Sequence, residues 1–194
     1  MNHLAHCYLS FGNEDWLLGN FIGDYVKGND WEKYPVPVQQ GILLHRTIDA
    51  FTDGSPHVHR CSARIRPYSK RFSGPVNDIL FDYLLATNWQ KYSEKPISTF
   101  AEETYAMLQR RVGEMPPALQ NRLPNMIAGN FLQGYGHREG LEFVFGKFMH
   151  RVSIPFDANA LLDFFMEHIN EFESDFYTFF PELLEKAQDF VRHK

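Results

Sequence analysis

The segment GILLHRTIDAFTD, residues 41–53, places one imidazole and two carboxylates at a spacing suited to joint chemistry. His45, Asp49 and Asp53 stand at positions i, i+4 and i+8. Residues four apart share one face of an α-helix, so a single helix would present all three side chains together. Such a group can bind a divalent cation or transfer protons. Asp53 has a second interpretation, because Asp before Gly54 is also typical of a turn.

A second segment, NDILFDYLL, repeats the four-residue spacing in more apolar surroundings. Asp78 and Asp82 are separated mainly by apolar residues, which predicts a largely buried helix. Burying an ionised carboxylate without a partner costs several kcal/mol. Arginine, hydrogen-bond donors or a metal cation must therefore accompany these two carboxylates.

Further polar groups lie inside apolar stretches near the N-terminus. His3 and His6 are three residues apart, and Asp24 lies within LLGNFIGDYVKG. Each such residue by itself is most often a helix cap, a salt-bridge partner or an ordinary core residue. Their combination is less easily explained in that way. We predict a metal or catalytic site that contains Asp24, His45, Asp49, Asp78 and Asp82.

Histidine and aspartate from several helices, without cysteine, form a ligand set for a hard or borderline cation. Oxygen donors suit Mn²⁺, Mg²⁺ and Fe²⁺, and imidazole nitrogens adjust the affinity. Zn²⁺ is also compatible with such ligands. The residue types therefore predict a divalent cation and leave its identity open.

Helices must position these side chains, and the spacing of apolar residues predicts helices almost throughout. Apolar residues recur at intervals of three and four, as in Leu161, Phe165 and Ile169. Alternating strand patterns are rare. Prolines mark the helix boundaries: a helix should run from about Pro37 to about Thr52, and others should open at Gly74–Pro75 and Pro116–Pro117. The sequence predicts an all-α fold, a helical bundle.

The composition is typical of one folded domain over residues 1–194. The 194 residues are 44% hydrophobic and 22% charged, which is enough to bury a large core. No apolar run is long enough to span a membrane, and MNHLAHCYLS lacks the pattern of a secretory signal. We therefore expect a cytoplasmic protein without a membrane span. Cys7 and Cys61 are expected to be free, buried thiols.

The charges are unevenly distributed along the chain. The net charge is −5 and the sequence pI is about 6.0, which argues against nucleic-acid binding. From Asp157 onward acidic residues dominate. Between Asp53 and Asp78 there is no acidic residue, and this basic segment contains Arg60, Arg64, Arg66, Lys70 and Arg71. Such polarity can orient a charged partner.

Four segments resemble acyl carrier protein phosphodiesterases, bacterial hydrolases that are similar to HD-type metal phosphohydrolases. They are MNHLAHCYLS, GNFIGDYVKG, GILLHRTIDAFTD and DILFDYLLATNW, and the likeness continues more weakly toward the C-terminus. The resemblance implies removal of 4′-phosphopantetheine from holo acyl carrier protein with a divalent metal, typically manganese. The positions that match the polar residues of the family are His6, Asp24, His45, Asp49, Asp53, Asp78 and Asp82.

The resemblance also suggests roles for individual residues. The metal ligands would be His6, Asp24, His45, Asp49, Asp78 and Asp82, and a carboxylate that is not a ligand would act as the base. Lys27 and Arg46 could neutralise phosphate oxygens. Because the carrier proteins of this family are acidic, the basic segment is expected to dock the partner through Arg60, Arg64, Arg66, Lys70 and Arg71.

The sequence departs from the family pattern at two positions. The family usually has Asp-His where this chain has Asp82 followed by Tyr83, and a tyrosine cannot act as a neutral imidazole ligand. The adjacent His-Asp pair of HD-type enzymes is replaced by Gly23–Asp24. Two other functions stay open: a phosphohydrolase that acts on a nucleotide or another small phosphoester, and a helical binding protein whose polar residues are structural.

Overall fold

Helices make up most of the computed structural model, which describes residues 1–150 and 156–193. No β-strand occurs within those two ranges, so the predicted all-α class is confirmed. The α-helices, in chain order, are α1 (His3–Tyr8), α2 (Glu14–Ile22), α3 (Val36–Gly54), α4 (Pro56–Ser69), α5 (Ser73–Thr87), α6 (Ile97–Arg110), α7 (Pro117–Ala128), α8 (Arg138–Met149), α9 (Ala158–Glu167) and α10 (Ile169–Arg192). Among these elements, none is both long and apolar enough to cross a membrane.

Local sequence signals account for the helix boundaries. Asn13 accepts hydrogen bonds from the first backbone N–H groups of α2, as an N-cap residue does. Pro56 is the first residue of α4, where its missing N–H costs nothing. Helix α3 extends to Gly54, slightly beyond the predicted end near Thr52. The predicted openings of α5 and α7 are confirmed to within two residues.

Helices α2 and α3 approach each other through glycines. A Cβ atom at Gly19 would lie 2.2 Å from the carbonyl oxygen of Val38, and one at Gly41 would lie 2.3 Å from that of Trp16. Only glycine allows two backbones to come this close. The contact presses the C-terminal end of α2 against the middle of α3, where His45 lies.

The long helix α10 closes the other side of the core. Its side chains Phe172, Phe176, Phe179 and Phe180 are completely buried. Phe81 of α5 contacts two of these rings at centroid distances of 5.5 Å. Burial of such aromatic side chains contributes about 1.5–3 kcal/mol each. Helix α10 thereby fixes α3, α4 and α5, which carry most of the predicted site residues.

The acidic end of the chain and the basic segment meet at Asp175. This buried carboxylate accepts hydrogen bonds from the Nε of Arg60 at 3.0 Å and from Arg64 at 2.6 Å. Arg64 also binds Glu171. Cys61 lies beside them and is free and buried, as is Cys7, which confirms the prediction for both cysteines.

Candidate functional site

A cluster of two histidines and two aspartates forms where α1, α3 and the segment after α2 meet. The Nε2 of His6 lies 3.2 Å from Oδ1 of Asp49, and the Nε2 of His45 lies 3.1 Å from Oδ2 of the same carboxylate. The two imidazoles are stacked with their centroids 4.2 Å apart. Asp24 is the fourth member, with Oδ1 3.5 Å from the Nε2 of His45. Both histidines are buried.

Asn20 of α2 fixes the orientation of both imidazoles. Its Nδ2 donates to the carbonyl of His6 and to Oγ of Ser10, so its Oδ1 must accept from the Nδ1 of His6, at 2.7 Å. The Nδ1 of His45 donates to the backbone carbonyl of Asn20 at 2.8 Å. Both Nδ1 atoms therefore carry hydrogen, and in the neutral rings the free lone pairs are on Nε2.

Gly23 provides the space for His45. A Cβ atom at Gly23 would lie 2.3 Å from Cγ of this imidazole. The structure therefore explains the Gly23–Asp24 pair. The glycine leaves room for the ring of His45, and Asp24 places its carboxylate near the Nε2 of that ring.

The electrostatics of the cluster favour a positive charge between these side chains. Burial would lower the pKa of His45, but Asp24 and Asp49 outweigh it and raise this pKa to about 9. Burial and the neighbouring His45 lower the pKa of His6. Burial would raise the pKa of Asp49, but hydrogen bonds with His45 and His6 hold it well below its usual value. The two carboxylates thus favour a positive charge at the imidazole of His45.

The donor atoms fit a divalent metal ion. His6, His45 and Asp49 each offer one ligand atom, and these atoms lie within 4.8 Å of one another. In its neutral form His6 directs an Nε2 lone pair at a carboxylate oxygen, a contact that is repulsive unless a cation lies between the two atoms. Two imidazoles with carboxylates are suitable ligands for Mn²⁺, Fe²⁺ or Zn²⁺.

The cluster opens into a cavity of about 920 Å³. One part of its wall is polar and includes His3, His6 and several carboxylates. Another part is apolar and comes from α7, α8 and the segment between them, with the side chains Met126, Phe131, Phe143, Val144 and Phe148. A substrate in this cavity would meet charged groups and an apolar surface together.

The structure brings some predicted carboxylates to this cavity and gives Asp82 a different set of partners. Asp49 and Asp24 belong to the cluster, and Asp53 and Asp78 line the cavity. Asp78 accepts a hydrogen bond from the buried N-terminal amine at 2.9 Å. Asp82, by contrast, is not among the side chains that line the cavity in the described part of the chain.

Asp82 caps helix α1. Its carboxylate accepts backbone N–H groups from Asn2, Leu4 and Ala5 at 3.2, 2.7 and 3.3 Å. Burial raises the pKa of this side chain to about 7. The backbone N–H groups at the start of a helix have no partners within the helix, so they favour a carboxylate at this place. These hydrogen bonds attach α5 to the start of α1 and thereby position His6, which lies on α1.

The two basic residues that the sequence suggested for binding phosphate do not line the cavity. Lys27 and Arg46 are not among the described residues that line the cavity. Arg46 instead donates to the backbone carbonyls of Val26 and Gly28, at 3.3 and 2.8 Å. Lys147 of α8 does line the cavity, and the sequence reasoning missed it.

Tyr83, the position at which the family has histidine, faces α9. Its ring packs edge-on against Phe165 at 5.6 Å, and its hydroxyl lies 3.8 Å from the sulfur of Met166. The residue is not among the described side chains of the cavity wall. At this position the side chain packs between helices.

Two arginines of the basic segment already form ion pairs within the protein. Arg60 and Arg64 are bound to Asp175, whereas the side chains of Arg66 and Lys70 are exposed. The docking prediction therefore depends on the C-terminal part of this segment.

Among the functional residues that the sequence reasoning missed, Asn20 had a recognisable signal. It is a polar residue in the apolar stretch LLGNFIG, where it must find hydrogen-bond partners if it is buried. Lys147 had no comparable signal, because nothing in its local sequence separates it from an ordinary exposed helix residue.

The described part of the chain is all-α, and its imidazole–carboxylate cluster opens into a cavity, an arrangement typical of an enzyme active site. Residues 1–183 match the family model described as "Acyl carrier protein phosphodiesterase", and the chain belongs to this family.

Relatives with that name match the chain over nearly its full length. The protein of Enterobacter sp. (strain 638) is 28% identical over 193 residues, which cover 97% of this chain and 98% of the relative. That of Serratia proteamaculans (strain 568) is 28% identical, with the same coverage of both chains. No solved structure matches the chain, so the similarity to the HD-type fold stays a prediction.

Proposed function

We propose that this protein is a metal-dependent phosphodiesterase that removes 4′-phosphopantetheine from holo acyl carrier protein. Family membership supports the substrate and the reaction class. The observation that carries the metal dependence is the pair of Nε2 atoms of His6 and His45, both aimed at the two oxygens of Asp49.

His6, His45 and Asp49 would hold the cation, and Asn20 would keep both imidazoles in the required tautomer. When bound, the ion lowers the pKa of a coordinated water and neutralises charge on the phosphate. Asp24, whose side chain is 69% exposed, lies on the open side of the cluster and would act as the base that takes a proton from the attacking water. Asp78 remains a predicted further ligand, since its carboxylate lines the same cavity.

The apolar wall of the cavity supports a substrate with an aliphatic arm. Phosphopantetheine combines a phosphate with a long arm in which methyl and methylene groups alternate with two amides and a hydroxyl. The phosphate would lie at the polar part, and the chain would pack against Met126, Phe131 and Val144.

The test is the reaction itself. We expect purified protein with Mn²⁺ to lower the mass of holo acyl carrier protein by one phosphopantetheine unit, as measured by intact-mass spectrometry. Chelator treatment and the Asp49→Asn variant should each abolish the change. An unaltered carrier mass with each of Mn²⁺, Mg²⁺, Fe²⁺ and Zn²⁺ would rule out the proposal.

A further inference from the structure

The charged groups that line the cavity are strongly unbalanced. Among the described residues of its wall, Lys147 is the one Lys or Arg side chain. The same wall contains the carboxylates of Asp24, Asp49, Asp53, Asp78 and Glu139, of which only Asp78 is paired with the N-terminal ammonium of Met1. A phosphodiester anion would be repelled by this surface unless positive charge accompanied it.

Lys147 is held at the cavity by an aromatic ring. Its Nζ lies 4.2 Å from the ring centroid of Phe143, one helical turn earlier on α8. Phe143 is 52% exposed, which is unusual for a large apolar side chain. A cation over an aromatic face is attracted to it without losing all of its hydration, so the ammonium stays available to a further partner.

No carboxylate pairs with this ammonium in the described part of the chain. Its neighbours differ in this respect: Arg138, at the start of the same helix, binds both Glu142 and Asp163. Arg122, which approaches the cavity from α7, donates to the hydroxyl of Tyr25 at 2.9 Å. Lys147 is therefore the cation of the cavity wall that retains its capacity for an anion.

We propose that Lys147 binds the phosphate of the substrate and adds a positive charge of the cavity wall to that held at the His6–His45–Asp49 cluster. This inference rests on the proposed function, because it assumes that the anion in the cavity is a phosphate ester. A lysine ammonium binds phosphate as a point charge on a flexible stem. The contact therefore depends mainly on the positive charge and less on an exact side-chain geometry.

The test compares two ligands and two proteins. Wild type and Lys147→Met are titrated calorimetrically, in buffer with Mn²⁺, with 4′-phosphopantetheine and with pantetheine, which lacks the phosphate. Methionine keeps the stem that packs on Phe143 and removes the charge. We expect Lys147→Met to weaken phosphopantetheine binding about tenfold and to leave pantetheine binding unchanged.

Two further variants separate charge from structure. Lys147→Arg should retain most of the affinity for phosphopantetheine. Lys186→Met removes an exposed lysine of α10 that lines a separate shallow groove, and it should change neither affinity. Thermal unfolding followed by circular dichroism checks that each variant is folded.

The outcomes distinguish this inference from the proposed function. Equal losses for the two ligands, or no loss for phosphopantetheine, would overturn the phosphate contact. A wild-type protein that binds both ligands equally would overturn it as well. If phosphopantetheine binding depends on Lys147 but holo carrier protein is never cleaved, the contact stands and the proposed reaction fails.

Discussion

At the scale of single residues, the site depends on which nitrogen of each histidine is free. Asn20 accepts from the Nδ1 of His6 through its side chain and from that of His45 through its backbone. Only Nε2 is then left to face the carboxylates. The side-chain amide of Asn20, which also donates to Ser10, therefore sets the tautomer of His6, and the backbone carbonyl of the same residue sets that of His45.

We predict that Asn20→Ala weakens Mn²⁺ binding by about tenfold, because the imidazole of His6 loses the side-chain contact that fixes its orientation, while the backbone carbonyl that holds His45 is retained. Calorimetric titration of metal-free protein measures the effect. Asn88→Ala is the matched control, since Asn88 also makes side-chain hydrogen bonds but contacts Tyr177 of α10 rather than the cluster. Unchanged Mn²⁺ affinity in Asn20→Ala would show that His6 needs no such support.

At the scale of elements, the close packing of α2 on α3 sets the distance between the members of the cluster. Gly19 and Gly41 allow the two backbones to touch, and Gly23 leaves room for the ring of His45. The cluster is thus built on the packing of rigid helices rather than on loop flexibility.

Gly23→Ala should displace His45 and lower both Mn²⁺ affinity and turnover at least tenfold, because the added methyl group would overlap the imidazole. Gly146→Ala is the control on helix α8. Nothing lies within 4 Å of a Cβ there, so alanine should be neutral or stabilising. If Gly23→Ala binds Mn²⁺ like wild type, the ring is not confined by this glycine.

The contact between α4 and α10 should make the protein sensitive to acid. Burial would raise the pKa of Asp175, but Arg64, Arg60 and His57 outweigh it and lower this pKa to about 2. Since the folded value is below the unfolded one, the stabilisation is fully present above about pH 4 and is lost as the pH falls through about 2.

We expect Asp175→Asn to lower the free energy of unfolding by about 1–2 kcal/mol at neutral pH. Arg60 is half exposed, so solvent screens its ion pair with Asp175 and keeps the loss small. The difference between variant and wild type should shrink as the pH approaches about 2. Urea unfolding at several pH values measures it. A difference that stays constant with pH would mean that the carboxylate is not charged in the folded protein.

At the scale of the whole molecule, the charge pattern places a positive surface beside the cavity. Phe72 follows Lys70 and Arg71 in the chain and packs edge-on against Phe148, which lines the cavity. Arg66 and Lys70 are exposed. We therefore predict that the C-terminal part of the basic segment docks the carrier protein near the cavity.

The combined reversal Arg66→Glu and Lys70→Glu should raise KM for holo carrier protein several-fold while kcat changes little. Exposed charges act over about 8 Å at physiological ionic strength, so added salt should raise KM of the wild type in the same way. Hydrolysis of a small phosphodiester should be unaffected. Lys186→Glu, on the separate groove between α3 and α10, is the control. A KM for the carrier that is insensitive to both salt and reversal would place the docking surface elsewhere.

The sequence by itself determined the helices and most of the chemical groups of the site. Apolar periodicity and the positions of proline define helices such as α3, and the four-residue spacing of His45 and Asp49 places both on one face. These are local properties, so neighbouring residues suffice to predict them. The family resemblance, which is also confirmed, could be found in the same way because its motifs are contiguous segments of the sequence.

Only the tertiary structure decided which polar residues meet. Asp78 and Asp82 look alike in the sequence, yet one lines the cavity and the other caps α1, because the direction from which α1 approaches α5 is not encoded locally. Arg60 and Arg64 similarly find Asp175 across more than a hundred residues of chain. Lys147 reaches the cavity through the packing of α8. Each of these pairings depends on helix packing across the whole core, which spacing along one helix cannot specify.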